Sequence, residues 1–139
     1  MNLKDYIFSV FREISISHHR SIEFRAKIFA AMLLAKKKQT DEDYENLREI
    51  ASEIYSDDSR RVGVLVSIVN EYIQKAHTYK SLNLDSLLVE IDKEIKNVPR
   101  YVKKIDFSHL RRLISDDEND ALIQQRVYEF LVNEVKEYS

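Results

Sequence analysis

The chain has 139 residues, 44% hydrophobic and 33% charged, with a formal net charge of -2. That balance supplies an apolar core beneath a charged exterior, which excludes a disordered chain, and the length suits one domain spanning 1–139. Cysteine is absent, which excludes a disulfide framework, a thiolate nucleophile and a cysteine-ligated metal and makes the reducing cytoplasm the expected location.

One glycine and one proline in the whole chain point to an all-α fold, because strand-joining turns commonly use those residues to reach or preset their φ angles. The opening stretch MNLKDYIFSVFREISIS breaks its apolar residues with charges and carries no small-residue cleavage site. It does not read as a signal peptide. No stretch approaches the roughly 18 consecutive apolar residues of a membrane span, so none is expected.

In chain order, Leu3, Tyr6, Ile7, Val10, Phe11 and Ile14 recur at helical spacing and predict an amphipathic helix over 3–14. Ser17 and Ser21 are candidate N-caps for the next segment, 22–35, whose Phe24, Ile28, Phe29, Met32, Leu33 and interspersed alanines leave little polar surface. A helix apolar on most sides belongs at the centre. Thr40 ahead of Asp41, Glu42 and Asp43 predicts the start of a third helix, with the acids at the positive end of its dipole. Its stripe is Tyr44, Leu47, Ile50, Ala51 and Ile54.

The Ser56–Ser59 run separates this from a fourth helix carrying Val62, Leu65, Ile68, Val69, Tyr72 and Ile73, which ends near Tyr79. Gly63 inside it is expected to allow a close helix crossing. Asn83 caps a fifth helix through Ile95, which Pro99 stops. Asp106 starts a short sixth over Phe107 to Ile114. Ser115 and Glu118 have the spacing of a capping box and open a last helix with Ala121, Leu122, Val127, Tyr128, Phe130, Leu131 and Val135. The expected architecture is a single compact bundle of about six or seven helices around the apolar helix at 22–35.

The acids at Glu42 and Asp43, and again at Asp116 and Asp117, are the candidates for holding a hard cation such as calcium, which takes several oxygen ligands. Neither group has the alternate ligand spacing or the glycine of an EF-hand loop, and helix starts account for both. Four histidines, His18, His19, His77 and His109, show no helical i, i+4 pairing of the kind zinc sites use. There is no nucleophile elbow and no glycine-rich phosphate loop, so no catalytic residue and no cofactor is expected. Basic groups at 36–38, 60–61, 103–104 and 111–112 each border acids, and the sequence pI is near 6.1. Nucleic acid is therefore not an expected partner. Tyr79, Tyr101 and Tyr138 lie at helix ends or off the apolar stripes, where exposed rings with a polar tip serve partner surfaces.

The run FAAMLLAKKKQTDEDYENLREIASEI, residues 29–54, resembles the core of TerB-like domains, the helical family named for tellurite-resistance proteins. In that family a small-residue apolar helix runs into an Ala-Asp-Gly turn, and acidic residues then open a Leu-rich helix. Ala35 falls on the family's Ala, Glu42 and Asp43 on its acidic pair, and Leu47 with Ile50 on the apolar stripe. Lys36-Lys37 stands where the family has Asp-Gly. The substitution removes the acid associated with metal binding there and sets positive charge in its place. The resemblance thus implies the helical fold without the metal site, and a stress-response or envelope-associated role. The expected function is a non-enzymatic interaction domain whose partner is another protein or a second copy. The alternative is a metal- or small-ligand-sensing domain using the acids at helix N-termini.

Overall fold

The computed structural model describes residues 20–139. The helix expected over 3–14, and Ser17, His18 and His19, lie outside the described residues.

The apolar segment becomes α1, Arg20–Leu34, and ten of its residues from Ile22 to Leu33 are buried. Ser21 lies inside its first turn rather than before it. Five further α-helices and one 3-10 helix follow: α2 (Asp41–Ile54), α3 (Ser59–Thr78), α4 (Leu84–Asn97), the 3-10 helix (Pro99–Lys104), α5 (Phe107–Arg111) and α6 (Glu118–Tyr138). The architecture is an all-α bundle, with no strand among the described residues. α1 packs most extensively against α3, and also touches α4, α6 and the 3-10 helix, while α2 packs on α3. Its alanines 26, 30 and 31 are buried, and their small side chains let neighbours approach closely.

Most helix starts are set locally. Thr40 Oγ1 accepts the Asp43 N–H and the Asp43 carboxylate accepts the Thr40 N–H, a reciprocal cap that satisfies two N–H groups the helix itself leaves open. Asn83 and Asp106 cap α4 and α5 one way only, each accepting one N–H, from Ser86 and Ser108. Between α2 and α3, Asp57 turns the chain with φ at 61°, a left-handed conformation that Asp tolerates better than most residues.

Three local expectations are corrected. α6 is capped by Asp117, whose carboxylate accepts the Asp120 N–H, and not by Ser115. The Ser115 N–H is instead taken by Gln124 Oε1 at 2.8 Å, and its hydroxyl accepts the Asp117 N–H. Gly63 lies at no close crossing, since a Cβ built there would meet nothing within 4 Å. Leu122 is exposed rather than part of the core stripe. The inward positions of α6 are Gln124, Val127, Leu131 and Glu134. Gln124 is fully buried, and its Nε2 donates to the carbonyls of Met32 (3.0 Å) and Leu113 (2.8 Å).

Candidate functional site

The end of α3 and the turn after it carry two of the exposed large apolar side chains among the described residues, Tyr79 and Leu82. α3 buries Val64, Leu65, Ile68, Val69 and Ile73, and its cap residue Tyr79 closes it with an N–H to the Lys75 carbonyl. The turn is then held from both ends. The Leu82 N–H donates to Tyr79 O at 3.0 Å, the Asn83 amide donates to Lys80 O at 3.0 Å, and Asn83 Oδ1 accepts the Ser86 N–H at 2.9 Å. With the backbone fixed in this way, Tyr79 and Leu82 stay 57% and 45% exposed. Val89, within α4, is 53% exposed.

Beside them opens a cleft of about 240 Å³ walled by Leu34, Tyr72, Leu82 and Leu87, with Lys75 and Glu90 among its polar margins. Those polar groups already have partners. Lys75 pairs with Glu71 at 2.9 Å, Glu90 with Lys27 at 3.0 Å, and the Tyr72 hydroxyl donates to Glu23 at 3.1 Å. Apolar contact is therefore what the edge offers a second surface.

Of the three tyrosines expected at partner surfaces, Tyr79 is exposed and Tyr138 is half-buried against the core. Tyr101 is a correction. It lies in the 3-10 helix, 6% exposed, with its ring 4.9 Å from that of Phe24, so it serves the core and not a contact surface.

The acidic candidates separate by role. Asp43 is buried, and the Lys36 ammonium sits on both its oxygens at 2.6 and 2.8 Å, while Oδ2 also accepts the Thr40 N–H at 2.9 Å. A metal ion would have to displace that ammonium. Glu42, Asp116 and Asp117 are exposed, and Asp117 is the α6 cap. The two acidic regions do approach each other, since the Lys37 N–H donates to Asp120 at 3.1 Å. Among the described residues, however, no three histidine, aspartate or glutamate side chains are arranged to hold a metal. His109 lies between Glu53 (3.9 Å) and Asp106 (3.6 Å), beyond hydrogen-bond length from either.

Two titratable groups stand at inward positions that apolar periodicity does not reveal. Lys27 of α1 reaches Glu94 (2.5 Å) and Glu90 (3.0 Å) of α4. Burial works against its charge, but the hydrogen bonds and charges of Glu94 and Glu90 outweigh this and raise its pKa. Glu134 of α6 is 6% exposed and shares a hydrogen bond with Asp92 of α4. Burial, then Asp92 and the charge of Glu137, push its carboxyl up to about 7, against the pull of Lys96. Asp92 moves the other way, lowered first by the Lys96 ammonium 3.1 Å away and then by Glu134.

No protein-family model matches the chain, and no curated protein or solved structure matches it. No helix among the described residues is long and apolar enough to cross a membrane.

Proposed function

We propose that this chain is a cytoplasmic, non-enzymatic interaction module that docks an apolar segment of a second protein on the edge formed by Tyr79, Leu82 and Val89. One observation carries this reading. Leu82, about half exposed, walls an apolar cleft whose polar neighbours are internally paired, and Tyr79, three residues before it, and Val89 of α4 are about half exposed as well. Exposed rings and aliphatics around a concave apolar wall are the usual anatomy of a contact centre. The resemblance of residues 29–54 to TerB-like domains supports the same class and a stress-response setting. Lys36, standing where that family carries an acid, neutralises Asp43, which supports a docking role over a metal-sensing one. The cysteine-free composition supports the cytoplasmic location.

The test is the paired variant Leu82→Glu with Val89→Glu. Both positions face solvent, so helicity by circular dichroism stays at the wild-type level. Photo-crosslinking from position 79 in cells identifies the partner, and its binding to the purified chain is then measured by anisotropy. Sedimentation covers the case in which the partner is a second copy. Loss of about tenfold or more in affinity is expected for two charges placed in an apolar contact. A partner bound equally well by both proteins overturns the proposal. A rise in melting temperature with calcium or zinc favours metal sensing instead.

A further inference from the structure

Residues 70, 73, 74 and 77 of α3 fall on one helical stripe, and they form the wall of a second cleft, about 300 Å³, closed by residues 37–39 and by Tyr44 of α2. Its hydrogen bonds determine which groups remain as donors. The amide nitrogen of Gln39 donates to the carbonyls of Leu33 (2.8 Å) and Lys36 (3.3 Å), so Gln39 Oε1 is an acceptor. His77 Nε2, 2.9 Å from that oxygen, therefore carries the proton. With the proton on Nε2, Nδ1 is the acceptor nitrogen of the ring. On the other side, the Tyr44 hydroxyl donates to Asn70 Oδ1 at 3.0 Å, which leaves the Asn70 amide nitrogen as a donor.

Cations complete the lining. Lys37 and Lys38 are exposed, and among the described residues neither ammonium has an acidic partner, whereas Lys36 is engaged by Asp43. The cleft thus gathers two lysines and a histidine and no acidic side chain, in a chain with 24 acids to 22 lysines and arginines. Segregation of one sign of charge in a concavity concentrates the opposite sign there.

We propose that this cleft binds the phosphate monoester group of a small soluble molecule. Two exposed ammonium groups match a dianion, while the Asn70 amide adds a directional donor to its oxygens. Ile73 and the Tyr44 ring offer an apolar wall to the organic part. At about 300 Å³ the volume lies at the lower end of small-molecule sites, enough for a phosphate with a sugar-sized body. Leu82 and Val89 lie outside this cleft, so the inference stands or falls apart from the docking reading.

The experiment is a titration of the full chain by amide-resolved NMR with inorganic phosphate and with AMP, using chloride at matched ionic strength as the control. Saturable shifts confined to the neighbourhood of residues 37–44 and 70–77 are expected. The paired variant Lys37→Ser with Lys38→Ser, whose side chains are exposed and whose loss leaves the Lys37 N–H to Asp120 in place, should weaken AMP by about tenfold or more. His77→Gln, which keeps a donor toward Gln39 and leaves both ammonium groups in place, should weaken it less. Shifts that chloride reproduces, or affinities that the lysine variant leaves unchanged, overturn the proposal. So does binding to an oligonucleotide or to phosphatidylserine vesicles without binding to AMP or inorganic phosphate, which would mark an electrostatic surface instead of a phosphate cleft.

Discussion

Glu134 should make the bundle lose stability as pH rises through neutrality. Its carboxyl goes from an ordinary 4.5 to about 7 in the folded protein, so the folded state holds a proton that the unfolded chain has released. Stability falls with pH wherever the folded state binds more protons. The contribution is therefore fully present below about 4.5, is lost progressively from there to about 7, and is absent above. At about 1.4 kcal/mol per pH unit, the window between 4.5 and about 7 sets a ceiling of about 3 kcal/mol. The pull of Lys96 is already contained in that value, and screening by solvent around the partly exposed Asp92 and Lys96 brings the expected loss to about 1–2 kcal/mol. Asp92 has the opposite sign, and its share disappears only as pH falls below its ordinary 3.8. Glu134→Gln keeps a donor for Asp92 and cannot titrate. Denaturant unfolding of both proteins, followed by circular dichroism from about pH 5 to about pH 8, should show the wild type losing stability relative to the variant. Contributions from other titrating groups are common to both chains and cancel in the difference. Parallel curves would refute the shared-proton account.

Gly63→Ala should raise stability by about 0.5–1 kcal/mol, because the residue lies inside α3 with open space where the methyl would go; thermal melting that shows no gain contradicts this. Gln124→Leu should cost about 2–4 kcal/mol, since it strands the Met32 and Leu113 carbonyls and the Ser115 N–H at one buried point. A loss under about 1 kcal/mol in denaturant unfolding would mean that water replaces the amide there.

Helix starts were readable where the cap is a short-range contact. Thr40, Asn83 and Asp106 each bond to an N–H two or three residues ahead, so residue type and spacing suffice to find them. The α6 start shows the limit. Ser115 and Asp117 compete for the same task over two residues, and the outcome depends on Gln124, nine residues away, taking the Ser115 N–H. Apolar periodicity finds the α1 core and the inward face of α6 through Val127 and Leu131, but it counts Leu122 as inward and cannot see that the polar Gln124 and Glu134 share the buried face. Tyr101 was misread for a related reason: a six-residue 3-10 segment is too short to display a period, and only its packing on Phe24 reveals its burial. Of the docking edge, the sequence exposed Tyr79 through its helix-end position. Leu82 gains meaning only beside Leu34 and Tyr72, which arrive from α1 and α3.

The buried polar contacts explain how these separate elements come to a defined register. An alanine-rich apolar helix gives neighbours a smooth surface, and apolar burial alone is nondirectional. Each α-helix packed on α1 also carries a polar tie: Tyr72 of α3 to Glu23, Glu94 of α4 to Lys27, and Gln124 of α6 to the Met32 carbonyl. Sliding a helix by one turn would leave such groups buried without partners, at about 1–3 kcal/mol each. α3 is thereby held in one rotation, with residues 72 and 75 turned toward the docking cleft and residues 70, 73, 74 and 77 toward the basic one. The two clefts share no lining residue. Substitutions at Leu82 and Val89 and at Lys37 and Lys38 should therefore combine additively in stability and leave each other's binding unchanged. Coupling between them would mean that α3 itself shifts when either cleft is filled.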